Sequence, residues 1–185
     1  NTTHAYTATQ RIVDGPDSKD WRRSRAGAIN LVPSTTGAAV AVTKVVKNLK
    51  GVFDGIAVRT PNPIVSLADI TFVANRKTSV EEINNILIEA AKKPHWKGIL
   101  SVTKEQLVSS DFIGITTASI VDLNFTKVIG DDLVKVLAWY DNEWGYSATL
   151  VEHVIKAGKL INNLDKLLIK EVVSLVTNVC KVSAN

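Results

Sequence analysis

A single histidine followed by alternating hydroxyls, Thr3-His4-Ala5-Tyr6-Thr7-Ala8-Thr9-Gln10, is the first stretch of the chain whose residue types suit a reaction. An imidazole titrates near neutral pH, and beside side-chain donors it suits an acid/base next to an anion. Three other features suit the anion itself. Arg22, Arg23 and Arg25 form a basic knot, and Arg59 ends an apolar run just before Thr60-Pro61. Ser34-Thr35-Thr36-Gly37-Ala38-Ala39 opens a helical pattern, where free amides and the helix dipole attract negative charge. Each has a plainer reading: a structural histidine among strand threonines, a solvated charge run, a simple N-cap. Arg59 is the hardest to explain plainly, because an arginine ending an apolar strand needs solvent or an anionic partner. Together the four describe a site for phosphate groups beside a histidine.

Other reactive residues read as structural. His95 beside Trp96 belongs to a loop, His153 faces solvent on a helix, and no two of the three histidines have metal-ligand spacing, so no metal is expected. Asp111 and Asp122 suit turns and hydrogen bonds. Cys180 is the only cysteine, which excludes a disulfide framework, reads as a structural thiol and fits a reducing, cytoplasmic setting.

The chain that positions these groups has 185 residues, 45% hydrophobic and 22% charged, a globular balance that excludes disordered and collagen-like classes. Its net charge of +4 is too mild to indicate nucleic acid, and no apolar run is long enough for a bilayer. With no methionine and Asn1 first, the chain is expected to be a fragment or processed product.

Hydrophobic period gives the elements. Strands are expected over 1–6, 52–60, 64–74, 99–102, 115–123 and 133–141. The run over 64–74 carries apolar residues on both faces, so helices or another subunit should cover both. Helices are expected over 37–46, capped by Ser34, Thr35 or Thr36, and from about Ser147 with Leu150, Val151, Val154, Ile155 and Gly158 on one face. A third helix starts at the capping box Ser79-Val80-Glu81-Glu82, with Ile83, Ile86, Leu87, Ala90 and Ala91 as its stripe and Pro94 as its stop. A further amphipathic stretch, with Asn163 as its cap, carries Leu164, Leu167, Leu168, Val172, Leu175, Val176 and Val179. The long irregular segment over 7–30 has the length that usually signals function. These signals predict an α+β domain, a mixed and mostly antiparallel sheet with helices on one face.

Several stretches are family-specific: HAYTATQ at 4–10, DGP at 14–16, KDWRRSRAGAINLVPSTTGAA at 19–39, VSLADIT at 65–71, KGIL at 97–100, LVSSDF at 107–112 and WYDNEWGYS at 139–147. In order and spacing the chain resembles the catalytic, C-terminal domain of phosphorylating glyceraldehyde-3-phosphate dehydrogenase over about 1–161, leaving 162–185 as an extension. The resemblance implies that His4 pairs with a catalytic cysteine, lowers its pKa and relays the proton. It implies that Thr7, Thr9 and Arg59 hold the substrate's C3 phosphate, and that Arg23, Thr36 and Gly37 hold the attacking inorganic phosphate. Asn142 would bind the nicotinamide carboxamide of NAD and Tyr146 would pack behind the ring. Residues 6–29 match the S-loop, which helps form cofactor sites and contacts in a homotetramer.

In that family a thiolate attacks the aldehyde, hydride leaves for NAD, and phosphate releases the acyl group as 1,3-bisphosphoglycerate, a glycolytic step. A thiol with a pKa of about 8.5 needs a nearby imidazolium to ionise at neutral pH. Two phosphate groups need separate cationic or amide-lined pockets to coexist. The family's SCTTN nucleophile motif and its GxGxxG dinucleotide fold do not occur in the 185 residues, so the chain alone is expected to be inactive, with NAD held mainly by a separate N-terminal domain. Two alternatives stay open: the sister activity on erythrose 4-phosphate, and a non-catalytic anion-binding or oligomerisation module.

Overall fold

The computed structural model of the chain describes residues 1–17, 20–161, 170, 173 and 174. The expected stripe at Leu164, Leu167, Leu168, Val172, Leu175, Val176 and Val179, its cap Asn163, and Cys180 lie outside the described residues.

Seven strands form one mixed sheet in the order β2-β3-β1-β4-β7-β6-β5. They are β1 (Thr2–Ala5), β2 (Val32–Thr35), β3 (Ile56–Thr60), β4 (Ser66–Val73), β5 (Leu100–Thr103), β6 (Ser119–Ile129) and β7 (Leu133–Tyr140). Among neighbours β1/β3 and β5/β6 run parallel and the rest antiparallel, the α+β arrangement expected. The helices are α1 (Ala38–Val45), α2 (Val80–Lys92) and α3 (Trp144–Leu160).

Ser79 begins α2 as expected: its hydroxyl accepts from the Glu82 amide at 3.1 Å. The reciprocal half of the capping box is replaced. Glu82 instead takes the Arg76 guanidinium and the Thr78 hydroxyl, because a charged fork outcompetes one amide. The half-buried stripe is Ile83, Leu87 and Ile88, packed on Val121, Leu123, Val134, Val136 and Ala138 of β6 and β7. Ile86 was expected in that stripe and is 54% exposed, one position off the face. A second cluster joins Val65, Phe112 and Ile120, and beside it Phe112 stacks on Trp139 at 5.1 Å.

Other boundaries moved for local reasons. Residues 34–35, expected to open a helix, pair instead with β3 as part of β2. The strand expected from 52 begins at Ile56, after Gly51 turns the chain at φ 84°. The strand expected to end at 123 runs to Ile129 as β6 through an irregularity between Asp122 and Lys127. α3 starts earlier than Ser147, because the Asp141 carboxylate accepts from the amides of Glu143 and Trp144, both at 2.9 Å. Its Leu150, expected on the apolar face, is 46% exposed. The expected double cover of β4 is absent within the described residues: Ile70, Phe72 and Val73 are exposed. No helix among the described residues is long and apolar enough to cross a membrane.

Candidate functional site

The inner strand β1 lies between β3 and β4 and carries His4. Its parallel register sets His4 beside Arg59, the two positions paired across the ladder. On the other side β4 meets β7 with Ser66 opposite Tyr140, and the chain leaves β7 directly into Asp141-Asn142 and α3. A cleft of about 390 Å³ opens where these elements converge, and His4, Arg59, Thr36, Tyr140, Asn142 and Tyr146 line it. Two larger hollows lie elsewhere, and neither is lined by His4 or Arg59.

At the centre Arg59 Nη1 lies 2.6 Å from His4 Nδ1. A guanidinium only donates, so in this contact Nδ1 is the acceptor. The Ala5 carbonyl, 2.7 Å from Nδ1, only accepts, and Arg59 Nη1 also reaches it at 3.3 Å. Protonation of Nδ1 would turn that atom into a donor to Ala5 and displace Arg59. Burial holds the His4 pKa below its ordinary 6.5; the bond to Ala5 opposes this and the charge of Arg59 adds to it. Tyr140 meets the imidazole edge-on, ring centres 6.0 Å apart.

Arg59 is itself under strain of charge. Burial depresses its pKa, with Tyr140 working against this and Arg23 with it. An arginine stays charged at any physiological pH, so the depression registers a cation drawn out of water, and among the described residues no carboxylate forms an ion pair with it. Arg23 sits 3.2 Å from the Asp20 carboxylate, which partly neutralises it.

The structure thus brings His4, Arg59, Thr36, Asn142 and Tyr146 to one cleft. Thr36 receives the Ala38 amide at 3.1 Å, and at Gly37 a side chain would meet open space. Thr7, Thr9, Arg23 and Gly37 lie outside the lining. Thr7 and Thr9 bond to each other at 3.1 Å, just beyond the end of β1.

Two functional-looking residues escaped the sequence reading, Tyr140 and Ser66. Burial raises the Tyr140 pKa, and the hydroxyls of Ser66 and Thr2 and the charge of Arg59 work against this. Both residues sit inside the motifs VSLADIT and WYDNEWGYS, yet only the β4–β7 register shows that they meet. The bland assignments hold: Asp111 caps a turn through the Val108 amide, Asp122 accepts from Trp139 and the Asn124 amide, and His95 and His153 are exposed.

Residues 1–142 match the family model described as glyceraldehyde 3-phosphate dehydrogenase, C-terminal domain. Among curated relatives, glyceraldehyde-3-phosphate dehydrogenase 2 of Nostoc sp. is 51% identical over 151 residues, 82% of this chain and 44% of the relative. The chloroplastic glyceraldehyde-3-phosphate dehydrogenase A of Chlamydomonas reinhardtii is 50% identical over 82% of this chain and 40% of its own length. Glyceraldehyde-3-phosphate dehydrogenase of Phytophthora infestans is 46% identical over 158 residues, 84% of this chain and 47% of its own length. The chain therefore spans less than half the length of these relatives.

Proposed function

Because the chain belongs to the glyceraldehyde-3-phosphate dehydrogenase family, as its C-terminal domain, we propose that it is the catalytic half of an NAD-dependent enzyme that oxidises and phosphorylates glyceraldehyde 3-phosphate in glycolysis. The observation that carries this reading is the contact between Arg59 and His4, which puts a cation drawn out of water against a proton carrier in one cleft. Arg59, with Thr7 and Thr9, holds the C3 phosphate of the substrate; Arg23, Thr36 and Gly37 hold the attacking phosphate. Two separate positive regions keep two dianions from repelling each other out of the site.

While Arg59 occupies it, Nδ1 of His4 is an acceptor. Once a phosphate takes Arg59, Nδ1 can protonate towards the Ala5 carbonyl, and the ring becomes the imidazolium that favours a thiolate. The cleft has room for a pyridine ring, and its donor set fits a carboxamide: Asn142 offers an amide and Tyr146 a ring that is still exposed. NAD, when bound, supplies the hydride acceptor, and its adenosine end requires residues from a separate dinucleotide-binding domain. A homotetramer built through the S-loop and a cytoplasmic location complete this reading.

The test is to join the chain behind a family dinucleotide-binding domain that ends in SCTTN. The joined protein is expected to form NADH from glyceraldehyde 3-phosphate, NAD and phosphate, while the 185-residue chain alone forms none. Turnover by the chain alone, or a folded joined protein that binds NAD and stays silent, would overturn the proposal. Equal or faster turnover of erythrose 4-phosphate would move the assignment to the sister activity.

A further inference from the structure

Asn142 was singled out by its motif, but nothing in the motif says which end of its amide faces the cleft. An asparagine presents an acceptor at one end and two donors at the other, and a half-turn exchanges them. In the structure the oxygen is taken: the Ser66 hydroxyl donates to Asn142 Oδ1 at 2.9 Å. Ser66 is 2% exposed, so water does not compete for this bond. Its hydroxyl has one proton to give and two lone pairs to fill. The Ala5 amide fills one of them at 3.2 Å, which leaves the proton for Asn142. Donation then runs from the Ala5 amide through Ser66 to Asn142.

The backbone places Ser66 with unusual insistence. Val65, the residue before it, has φ 71°, a region costly for a β-branched side chain. Asn62 holds it there, its Nδ2 donating to the carbonyls of Ile64 and Val65 at 2.7 and 2.9 Å. The same hydroxyl therefore ties the strand of the proton carrier, through Ala5, to the amide across the cleft.

We propose that Ser66 is a positioning residue: its hydroxyl holds Asn142 Oδ1 inward, so that the Nδ2 donors face the cleft and select a ring that carries a carbonyl acceptor. The selection rests on the nicotinamide reading of the cleft; the aiming of the amide does not.

Nuclear magnetic resonance on the isotope-labelled 185-residue chain tests both parts. In the free chain the buried Ser66 hydroxyl proton is expected to exchange slowly and to show a cross-relaxation contact to Asn142. No such contact would overturn the proposal. The chain is then titrated with 3-acetylpyridine, which offers a carbonyl and no N–H, and with 3-aminopyridine, which offers N–H and no carbonyl. Read at the Asn142 side-chain amide, the parent is expected to bind the first about two- to tenfold more tightly, the range of one neutral hydrogen bond. Ser66→Ala should erase that preference and Ser66→Thr should restore it. A folded Ser66→Ala that keeps the parent's preference overturns the proposal. Should neither probe move Asn142 in the parent while the hydroxyl contact persists, the aiming stands and the nicotinamide reading of the cleft falls.

Discussion

Nδ1 of His4 has two neighbours that ask for opposite things, a guanidinium that needs a lone pair and a carbonyl that needs a proton. Which one it serves depends on whether Arg59 has an anion. Inorganic phosphate is therefore expected to raise the His4 pKa, and Arg59→Ala should raise it without phosphate and remove the response; following the ring's carbon resonances against pH checks this. A His4 pKa indifferent to both phosphate and Arg59→Ala would break the link. Phosphate affinity itself should fall in Arg59→Ala by about tenfold to a hundredfold, the worth of a charge-assisted contact of roughly 1.5–3 kcal/mol. The lowered pKa also has a sign in stability. Between that value and 6.5 the unfolded chain binds more protons than the folded one, so stability rises with pH across this window and is lost as pH falls through it.

At the scale of elements, α2 is the part most fully written in local residues. Ser79→Ala removes a cap worth about 1 kcal/mol, and the melting temperature should drop by about 2–4 °C. No drop in a calorimetric scan would mean that Arg76 and Glu82 hold that end alone. α2 was legible because cap, stripe and stop follow one another within a single helix. Ile86 was misplaced because Ile83, Leu87 and Ile88 already fill the width that the sheet accepts. The strand β2 was not legible, since Val32-Pro33-Ser34-Thr35 has no period of its own and exists only through β3. In the site, His4, Arg59 and Asn142 were found by type and motif; Ser66 and Tyr140 were not, because their meaning is a register between strands about seventy residues apart. Beyond α3, Val173 lines a pocket of about 100 Å³ with Leu150, Val151 and Val154. Deleting 162–185 is expected to lower the melting temperature at unchanged oligomeric state, because those three side chains lose that neighbour. A change of oligomeric state instead would assign the extension to an interface.

At the scale of the whole molecule, the sheet leaves apolar side chains in water. Ile70 and Phe72, two positions apart on β4 and so on one face of the sheet, are both exposed. We expect copies of the chain to associate through this face. Phe72→Lys should lower the sedimenting mass at a given concentration with little change in melting temperature, its side chain being 43% exposed already. An unaltered mass distribution would place the contact elsewhere.

The position of β1 has a consequence in time as well as in space. Its neighbours in the sheet are β3 and β4, and His4 meets Arg59 across fifty-five residues of chain. A strand inserted between two others cannot pair before they exist, and closing loops of that length is slow compared with winding a helix. During synthesis the histidine is therefore made well before Arg59 and Tyr140, and α2 can wind while β1 is still unpaired. The chemistry of the cleft should thus appear late in refolding: His4 protected from proton exchange with water only in the slowest phase, after the helical signal is complete.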